Sequence, residues 1–417
     1  MISAYTDRKN ILEIFGIIII SSLPIIILLG SGILNFSIII LDLIFLIEIY
    51  RKKKFIYLKN NFFYSLIFIW FLLIFNCFIT SIDTLASIPR TIGFLRFVLF
   101  IFALKYFFEL ENNLYQKKIF QFWSLTFIII TLDLIFEYIV GYNILGFKAE
   151  LPGRLVGFME DEMKIGHLYS AFILITLVSI DNFLRKITSL NNSKFLKNSI
   201  FYFFVIFFLI TSFLIGERAN FVRTFIIISI FILFYKKNFK TLLTIFTFSV
   251  LFFLYVISEN ERFKYRYWTT FIKPIIIEPS KGLFQPPYGN HYKVALEIFD
   301  NNKFFGVGLR NYAKESRKDI YSGHASIHPH QIHFEFLSEL GILGYSVLFI
   351  FFLLTIFMGI KLFFMRKNYY QLSGILFVFV SLLPFIPSGS FFTTYGATLF
   401  WLNFSFLLKE INLNRSS

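Results

Sequence analysis

The most restrictive feature of this sequence is the repetition of long, almost uncharged apolar segments along nearly its whole length. A helix needs about 20 apolar residues to cross a hydrocarbon core of about 30 Å. Segments that approach this length lie at residues 11–29, 33–49, 62–80, 92–108, 119–140, 163–180, 199–215, 221–235, 241–257, 334–358, 369–387 and 391–408. We therefore expect an all-α, polytopic integral membrane protein with about 12 transmembrane helices.

The composition excludes most other classes of protein. Hydrophobic residues make up 57% of the chain and charged residues only 16%, an apolar excess that no soluble core could bury. The single cysteine, Cys77, excludes a disulfide scaffold within the chain. A formal net charge of +15 would suggest a nucleic-acid partner in a soluble protein. In a membrane protein, however, basic residues first indicate topology.

The basic residues predict the orientation of the chain. Outside one long loop, most of the Lys and Arg residues fall in short loops on one side, which we therefore assign to the cytoplasm together with both termini. The predicted parts are helices one to nine within 1–257 with an outward loop at 141–162, a long periplasmic loop with short helices at 258–333, and helices ten to twelve within 334–417. The charge then indicates contact with anionic membrane lipids, and no nucleic-acid partner is expected.

The long loop contains most of the residues that could carry chemistry. Five of the six histidines lie there: His291, His324, His328, His330 and His333. A loop of this length without structure is uncommon unless it is functional. We expect short helices over the outer mouth of the bundle, one of them around residues 292–299.

The histidine-rich stretch at 326–341 suggests a proton acceptor. Pro329 suits the first turn of a helix, which would place His330 and His333 on one helix face. An imidazole there could take a proton from an attacking hydroxyl near neutral pH. Two other interpretations remain open: an exposed helix end without function, and a metal site that includes His328, although zinc usually needs a further ligand.

A polar turn at residues 216–223 lies between two apolar segments and contains two arginines. Arg218 and Arg223 are expected at the outer interface, where planar guanidinium donors suit a phosphate. Interfacial snorkelling is the structural alternative. No nucleotide-binding loop or metal-protease motif occurs, and Gly306-Val-Gly308 is too short to be a phosphate loop, so neither ATP nor a cofactor is expected.

A second polar turn at residues 153–166 combines Arg154 with an acidic triplet at 160–162. Such a triplet before a helix often serves only as a cap. Asp133 and Glu137, four residues apart near the outer end of the fifth span, are expected to be structural partners of Arg96 or Arg154.

Together these segments resemble the O-antigen ligase and O-antigen polymerase superfamily of bacterial membrane glycan-joining enzymes. Gly-Glu-Arg-Ala at 216–219 is similar to the family's Gly-x-Arg motif, and residues 297–312 resemble the segment before its signature. His-Pro-His-Gln followed by Glu-Leu-Gly within 328–344 resembles the signature itself. With the lead-in after Asp133, the resemblance covers roughly residues 125–350.

The resemblance implies transfer of a glycan from undecaprenyl pyrophosphate to an acceptor hydroxyl, at the periplasmic face of the bacterial inner membrane. By position, His330 would activate or orient the acceptor and Arg218 would hold the pyrophosphate. The further candidates for substrate binding are Arg154, Arg223, His291, Arg310 and His333.

The sequence departs from the family pattern where a second loop arginine is usual. His291 and Lys293 lie in that neighbourhood, and Arg262, Arg266 and Arg310 are the other candidates for the second phosphate clamp. The single histidine-bearing loop favours a ligase that uses a lipid A–core sugar over a polymerase that joins lipid-linked repeat units. A lipid-linked oligosaccharide flippase or transporter is a further alternative, and a non-enzymatic scaffold is the least favoured. The sequence does not predict an oligomeric state.

Overall fold

The structure is a computed structural model that describes residues 11–160, 164–187, 194–236, 239–277, 288–321 and 326–408. These residues form helices joined by loops, and no strand occurs among them. The predicted all-α class is therefore confirmed for the described chain.

The described helices are numbered in chain order. They are α1 (Ile11–Ser21), α2 (Leu23–Leu28), α3 (Ser31–Arg51), α4 (Asn61–Phe75), α5 (Thr84–Glu109), α6 (Leu114–Val140), α7 (Ile165–Lys186), α8 (Lys194–Leu214), α9 (Arg218–Lys236), α10 (Phe239–Glu259), α11 (Glu261–Phe263), α12 (Lys273–Ile277), α13 (Tyr288–Asn301), α14 (Tyr312–Glu315), α15 (Ile332–Arg366), α16 (Tyr369–Ser381) and α17 (Thr394–Leu408). A π-helical segment, Lys264–Ile272, joins α11 to α12.

Nine of the described helices are long and apolar enough to cross a membrane, and α1 and α16 are shorter apolar helices. The predicted count of twelve spans is not confirmed. The predicted span at 11–29 is interrupted at Ser22, because Pro24 in the first turn of α2 has no N–H to continue the helix from α1. The short helix predicted around 292–299 is present as part of α13.

Among the nine candidate spans of the described chain, α7 and α5 are the most buried, and the outer faces of the bundle are apolar. The most apolar window of α7 is 83% buried and that of α5 is 72% buried, against 24% for α10. Large apolar side chains such as Phe71, Leu132 and Phe203 are exposed on the outside. Apolar surface on this scale needs a hydrocarbon environment, so the chain is an integral membrane protein.

Helix α15 is interrupted at Gly341, where the backbone has φ 64° and ψ −172°. Backbone groups freed by this break pair with the preceding loop. Ile342 donates to the carbonyl of Lys303 at 2.8 Å, and Gly308 donates to the carbonyl of Glu339 at 2.8 Å. The Gly306-Val-Gly308 stretch therefore has a structural role, since it joins the loop to the helix.

The same loop also docks on the beginning of α5. Asn311 is fully buried, and its Nδ2 donates to Ser87 Oγ at 3.0 Å and to the Val307 carbonyl at 2.9 Å. Lys314 pairs with Asp83, the N-cap of α5, at 2.8 Å. The first turns of α5 and the loop before α15 are thus fixed to each other.

The break at Gly341 predicts a stability effect. A Cβ at this position would lie 2.4 Å from the backbone carbonyl carbon of Phe304, and the positive φ is strained for any residue with a Cβ. We expect Gly341→Ala to cost at least about 2 kcal/mol and to lower the apparent melting temperature in detergent.

Gly32→Ala is the matched control, because Gly32 lies in α3 with no heavy atom within 4 Å of an added Cβ. Alanine favours a helix more than glycine does, so this variant should be neutral or slightly stabilised. Equal melting temperatures of the two variants would contradict a structural role for the break.

Candidate active site

The turn that contains Arg154 is held by a carboxylate of α6. Glu137 Oε2 accepts a hydrogen bond of 2.7 Å from the backbone N–H of Gly157. The expectation that Asp133 and Glu137 pair with Arg96 or Arg154 is wrong within the described chain, because both carboxylates bind backbone N–H groups of this loop. Instead of pairing with an arginine, the two carboxylates anchor the loop to α6.

The turn between α8 and α9 packs directly on this loop. Gly216 has φ 75°, and a Cβ there would lie 1.9 Å from the carbonyl oxygen of Gly153, so only glycine fits. The N–H of Leu155 donates to the carbonyl of Ile215 at 3.1 Å. The two arginine-bearing turns therefore form one unit.

Arg218 begins α9 and is held by the π-helical segment. Its Nη1 donates to Thr270 Oγ1 at 3.1 Å and to the carbonyl of Arg266 at 3.2 Å, and its guanidinium lies 5.3 Å from the centre of the Phe271 ring. Arg266 in turn donates from Nε to the carbonyl of Gly216. Among the described residues, nothing accepts a hydrogen bond from Nη2 of Arg218, which is free for a ligand.

Three arginines lie near one carboxylate here, so positive charge is in excess among the described residues. Burial and, next, the nearby charges of Arg154 and Arg218 lower the pKa of Arg266 to about 10. Arg154 Nε is buried without a hydrogen-bond partner in the described structure. Glu217 partly offsets the charge, but one of its oxygens already accepts the N–H of Gly166 at 2.9 Å. We call Arg154, Arg218 and Arg266 the arginine cluster.

Arg223 lies one turn further along α9, and its hydrogen bonds are accepted by other groups of the chain. Its Nη1 donates to Asn220 Oδ1 at 3.0 Å, and its Nη2 donates to the carbonyl of Pro387 at 2.8 Å. Only 5% of the residue is exposed. Arg223 therefore connects α9 to the segment that follows α16, and the structure does not join it to the arginine cluster.

The histidines meet at the turn before α15. The ring of His330 lies 4.0 Å from that of His328 and 5.4 Å from that of His291, measured between ring centres. The contact between Ser326 Oγ and His330 Nε2 is 3.1 Å, and the N–H of Ser326 donates to His291 Nδ1 at 3.2 Å. These three imidazoles form what we call the histidine cluster.

Burial keeps the histidine cluster neutral at neutral pH. Burial, with a smaller effect from the neighbouring His328 and His291, lowers the pKa of His330 to about 3. It also lowers the pKa of His328 to about 4, with the charge of Arg90 as the next cause. The pKa of His291 is lowered by burial as well. A neutral imidazole can accept a proton, but one with so low a pKa is a weak base.

The predicted helix start at Pro329 is wrong, and so is the shared helix face of His330 and His333. Helix α15 begins at Ile332, with the Gln331 side chain capping it, and His330 lies before the helix in the left-handed region at φ 57°. The Gln331 cap, which accepts the N–H of His333 at 2.6 Å, makes an earlier start unnecessary.

His333 is held away from this cluster. Its Nε2 contacts the carbonyl of Leu382 at 2.9 Å, and its Nδ1 contacts the hydroxyl of Tyr345 at 3.3 Å. Both ring nitrogens are therefore engaged by the chain.

Tyr288 connects the arginine cluster to the histidine cluster. Its hydroxyl interacts electrostatically with Arg218, and its ring centre lies 5.3 Å from that of His330. Tyr288 and His291 are three residues apart on α13, so one helix face presents both. The two clusters thus lie at the same end of the bundle and share a neighbour.

The other predicted positions fall outside these clusters. Arg310 is exposed at φ 66°, and the structure does not bring it to the arginine cluster. His324 and the acidic residues 161–162 lie outside the described residues. The described residues also contain no group of three His, Cys, Asp or Glu side chains that could hold a metal ion.

Comparison with known protein families gives one match. Residues 203–349 match the family model described as O-antigen ligase. We call residues 203–349 the O-antigen ligase domain, after the family that they resemble. The predicted family resemblance is thereby confirmed, and members of this family are membrane glycosyltransferase-like enzymes of the O-antigen ligase or polymerase type. No curated protein matches the chain.

The O-antigen ligase domain contains Arg218, Arg266 and the histidine cluster, whereas Arg154 lies outside it. The sequence identified Arg266 only as one of several loop candidates, and it gave Tyr288 no role. The predicted helix at 292–299 did not extend to Tyr288, so its spacing of three residues from His291 gave no signal until the structure placed both on α13. Arg90 was also missed, because a single arginine in the short stretch between two predicted spans gives no indication of what it faces.

The lowered histidine pKa values predict acid sensitivity of this turn in the O-antigen ligase domain. Because the folded-state pKa values lie below the unfolded value of about 6.5, the stability they confer is present above that pH and is lost as the pH falls toward about 4. Hydrogen exchange at residues 326–331, corrected for its intrinsic pH dependence, should therefore increase between about pH 7 and about pH 5.

The control is a variant with His291, His328 and His330 all replaced by Gln, which has no titrating group in this cluster. Its corrected exchange should change little over the same range. A wild-type protein with pH-independent protection would contradict the buried, neutral state of these histidines.

Proposed function

We propose that the protein is an O-antigen ligase-like glycosyltransferase that moves a glycan from undecaprenyl pyrophosphate to a hydroxyl of a lipid A–core sugar. The reaction takes place at the periplasmic face of the bacterial inner membrane, with both termini in the cytoplasm, and uses neither metal nor ATP. The family match at residues 203–349 supports this general type of function.

The arginine cluster is the proposed site for the donor pyrophosphate. Arg154, Arg218 and Arg266 interact through their charges, and the one nearby carboxylate, Glu217, does not balance them. Half-buried guanidinium groups lose part of their hydration, so an anion that restores hydrogen bonds and charge balance binds strongly. Donors fixed before the reaction also stabilise the negative charge that develops on a leaving pyrophosphate.

His330 is the proposed proton acceptor. The acceptor oxygen attacks the anomeric carbon and forms the new C–O bond, while the bond from that carbon to the pyrophosphate oxygen breaks. The electron pair leaves with undecaprenyl pyrophosphate, and the hydroxyl proton passes to a ring nitrogen of His330. The donor is already activated, which is why no separate energy source is required.

The low pKa of His330 fits this role only when the donor is bound. Burial and two neighbouring imidazoles hold the pKa near 3 in the absence of ligand. A pyrophosphate on the arginine cluster brings negative charge toward the ring and raises the pKa. The imidazole of His330 is then a stronger base in the donor-bound complex, where the proton is transferred.

One observation carries the proposal: Tyr288 interacts electrostatically with Arg218, and its ring centre lies 5.3 Å from that of His330. A leaving group on the arginine cluster and a proton acceptor at the histidine cluster would thus lie on either side of one reaction centre. Positioning of both reactants in this way supplies much of the acceleration of a two-substrate reaction.

The proposal predicts different defects for the two clusters. In a reconstituted assay with undecaprenyl pyrophosphate-linked glycan and lipid A–core acceptor, His330→Gln should lower kcat by about 10²-fold or more with donor affinity retained. Arg218→Gln and Arg266→Gln should weaken donor binding and lower kcat/KM by about 10²-fold or more.

Arg262→Gln is the matched control, since Arg262 is an exposed arginine four residues before Arg266. It should retain wild-type activity, and the wild-type reaction should continue in EDTA. Full activity of both the His330→Gln and Arg218→Gln proteins would overturn the assignment of the site.

The acceptor predicts the phenotype of a gene deletion. Without a ligase, lipopolysaccharide should consist of lipid A–core with no attached glycan, because the transfer to the core sugar is missing. Gel electrophoresis of lipopolysaccharide from the deletion strain measures this. Core carrying a single repeat unit would instead show that the protein is a polymerase joining lipid-linked units.

A further inference from the structure

A cavity separate from the arginine cluster lies among α3, α5 and α17. It has a volume of about 280 Å³. Its polar lining is formed by Asn35, Arg90, Arg96, Thr393 and Thr394, and aromatic rings including Phe94, Phe392 and Trp401 form the rest. This volume is near the lower end for ligand pockets, about 300 Å³, and suits one sugar unit.

Arg90 supplies a positive charge to this cavity. Its guanidinium forms no direct ion pair within the described chain. It interacts electrostatically with the buried carboxyl groups of Glu335 and Glu339. The oxygens of Glu335 already accept the N–H of Phe391 at 2.8 Å and the hydroxyl of Ser390, and Glu339 accepts the N–H of Tyr312 at 3.4 Å. No described carboxylate forms an ion pair or hydrogen bond with the Arg90 guanidinium. An arginine left in this state within an apolar helix indicates a ligand.

The second arginine of the cavity, Arg96, already has a hydrogen-bond partner in the chain. Arg96 Nη2 donates to Thr394 Oγ1 at 3.3 Å, and the Thr394 hydroxyl donates to Asn35 Oδ1 at 3.1 Å. The buried carboxylate of Asp42 offsets the charge of Arg96. Arg96 therefore orients the polar wall, while Arg90 remains available to an anion.

The cavity adjoins the histidine cluster through different neighbours from those of Arg218. Arg90 acts on His328, whose ring lies 4.0 Å from that of His330. Ser388 donates its N–H to the carbonyl of His330 at 2.7 Å, and Phe391 and the residues after it form a wall of the cavity. Arg218 instead interacts electrostatically with Tyr288, whose ring centre lies 5.3 Å from that of His330.

We propose that this cavity binds an acidic substituent, a phosphate or a carboxylate, on the acceptor glycan, with Arg90 as the group that pairs with it. The inference rests on the proposed function, and it names the acceptor as an anionic glycan. The aromatic wall packs on the apolar face of the sugar ring, and Thr393 and Asn35 hydrogen-bond to its polar edge. Donor and acceptor thus occupy separate basic sites on two sides of the histidine cluster.

The binding test uses glucose 6-phosphate, glucuronate and glucose as probes on the full-length protein in nanodiscs. Wild-type protein should be stabilised against thermal unfolding by the two anionic sugars and not by glucose. Arg90→Gln should lose this stabilisation and retain that given by undecaprenyl pyrophosphate, while Arg218→Gln should show the reverse. Arg317→Gln, a change at an exposed arginine, is the control and should retain both.

The kinetic test compares phosphorylated and dephosphorylated lipid A–core acceptors. Arg90→Gln should raise KM for the phosphorylated acceptor by about 10- to 100-fold and leave KM for the donor unchanged. Arg90→Lys should recover part of the loss, because the charge is retained. Should Arg90→Gln fail to fold, Asn35→Ala provides a second change in the same wall with the same expected direction.

The outcomes separate this inference from the proposed function. Wild-type protein that transfers normally, with Arg90→Gln equal to Arg317→Gln in both tests, overturns the acceptor site. If the wild type transfers nothing, the proposed function fails, while loss of anionic-sugar binding in Arg90→Gln still supports the cavity as an anion site. Stabilisation that requires anionic phospholipid in the nanodisc and not a sugar would identify a lipid headgroup and overturn the acceptor assignment.

Discussion

The candidate site depends on the pairing between the break in α15 and the loop that precedes it. In a hydrocarbon environment an unpaired N–H or carbonyl is costly, so a broken helix persists only where other backbone groups complete it. The loop around residues 303–308 does this at Gly341. The side chain of Asn311 then fixes the same loop to α5. Backbone and side-chain hydrogen bonds thus hold together this loop, α15 and the helix that carries Arg90.

Electrostatics adds a second constraint at the same end of the bundle. The arginine cluster has only Glu217 to offset it, and Arg90 has no paired carboxylate among the described residues. Burial of such charges disfavours the empty protein, and the cost is recovered when an anion binds. The same burial keeps the imidazoles neutral until negative charge arrives. In the proposed reaction, the bound anion would therefore couple the basic groups to the histidines.

The sequence predicted the all-α class and most of the long apolar helices, but neither the number of spans nor the way in which the candidate site is assembled. Apolar runs identify helices because the hydrocarbon thickness fixes their length. The break at Gly341 depends on a loop more than thirty residues earlier, which no local pattern reveals. Arg266 and Arg310 are chemically identical and lie in one loop, so only the packing of the π-helical segment decides which of them meets Arg218. His333 was likewise indistinguishable from His330 until the Gln331 cap defined where the helix begins.

The segment at residues 386–388, which bonds to both Arg223 and His330, has a consequence for how such proteins can diverge. Pro387 accepts from Arg223, and Ser388 donates to His330, so a segment outside the matched residues 203–349 holds both halves of the site. Arg154 and Arg90 also lie outside that region. The matched region is therefore not a self-contained module that could be exchanged between relatives with its specificity intact. If the proposed acceptor site is correct, substitutions in α5 or after α16 would change the acceptor while the sequence motifs of residues 203–349 stay the same.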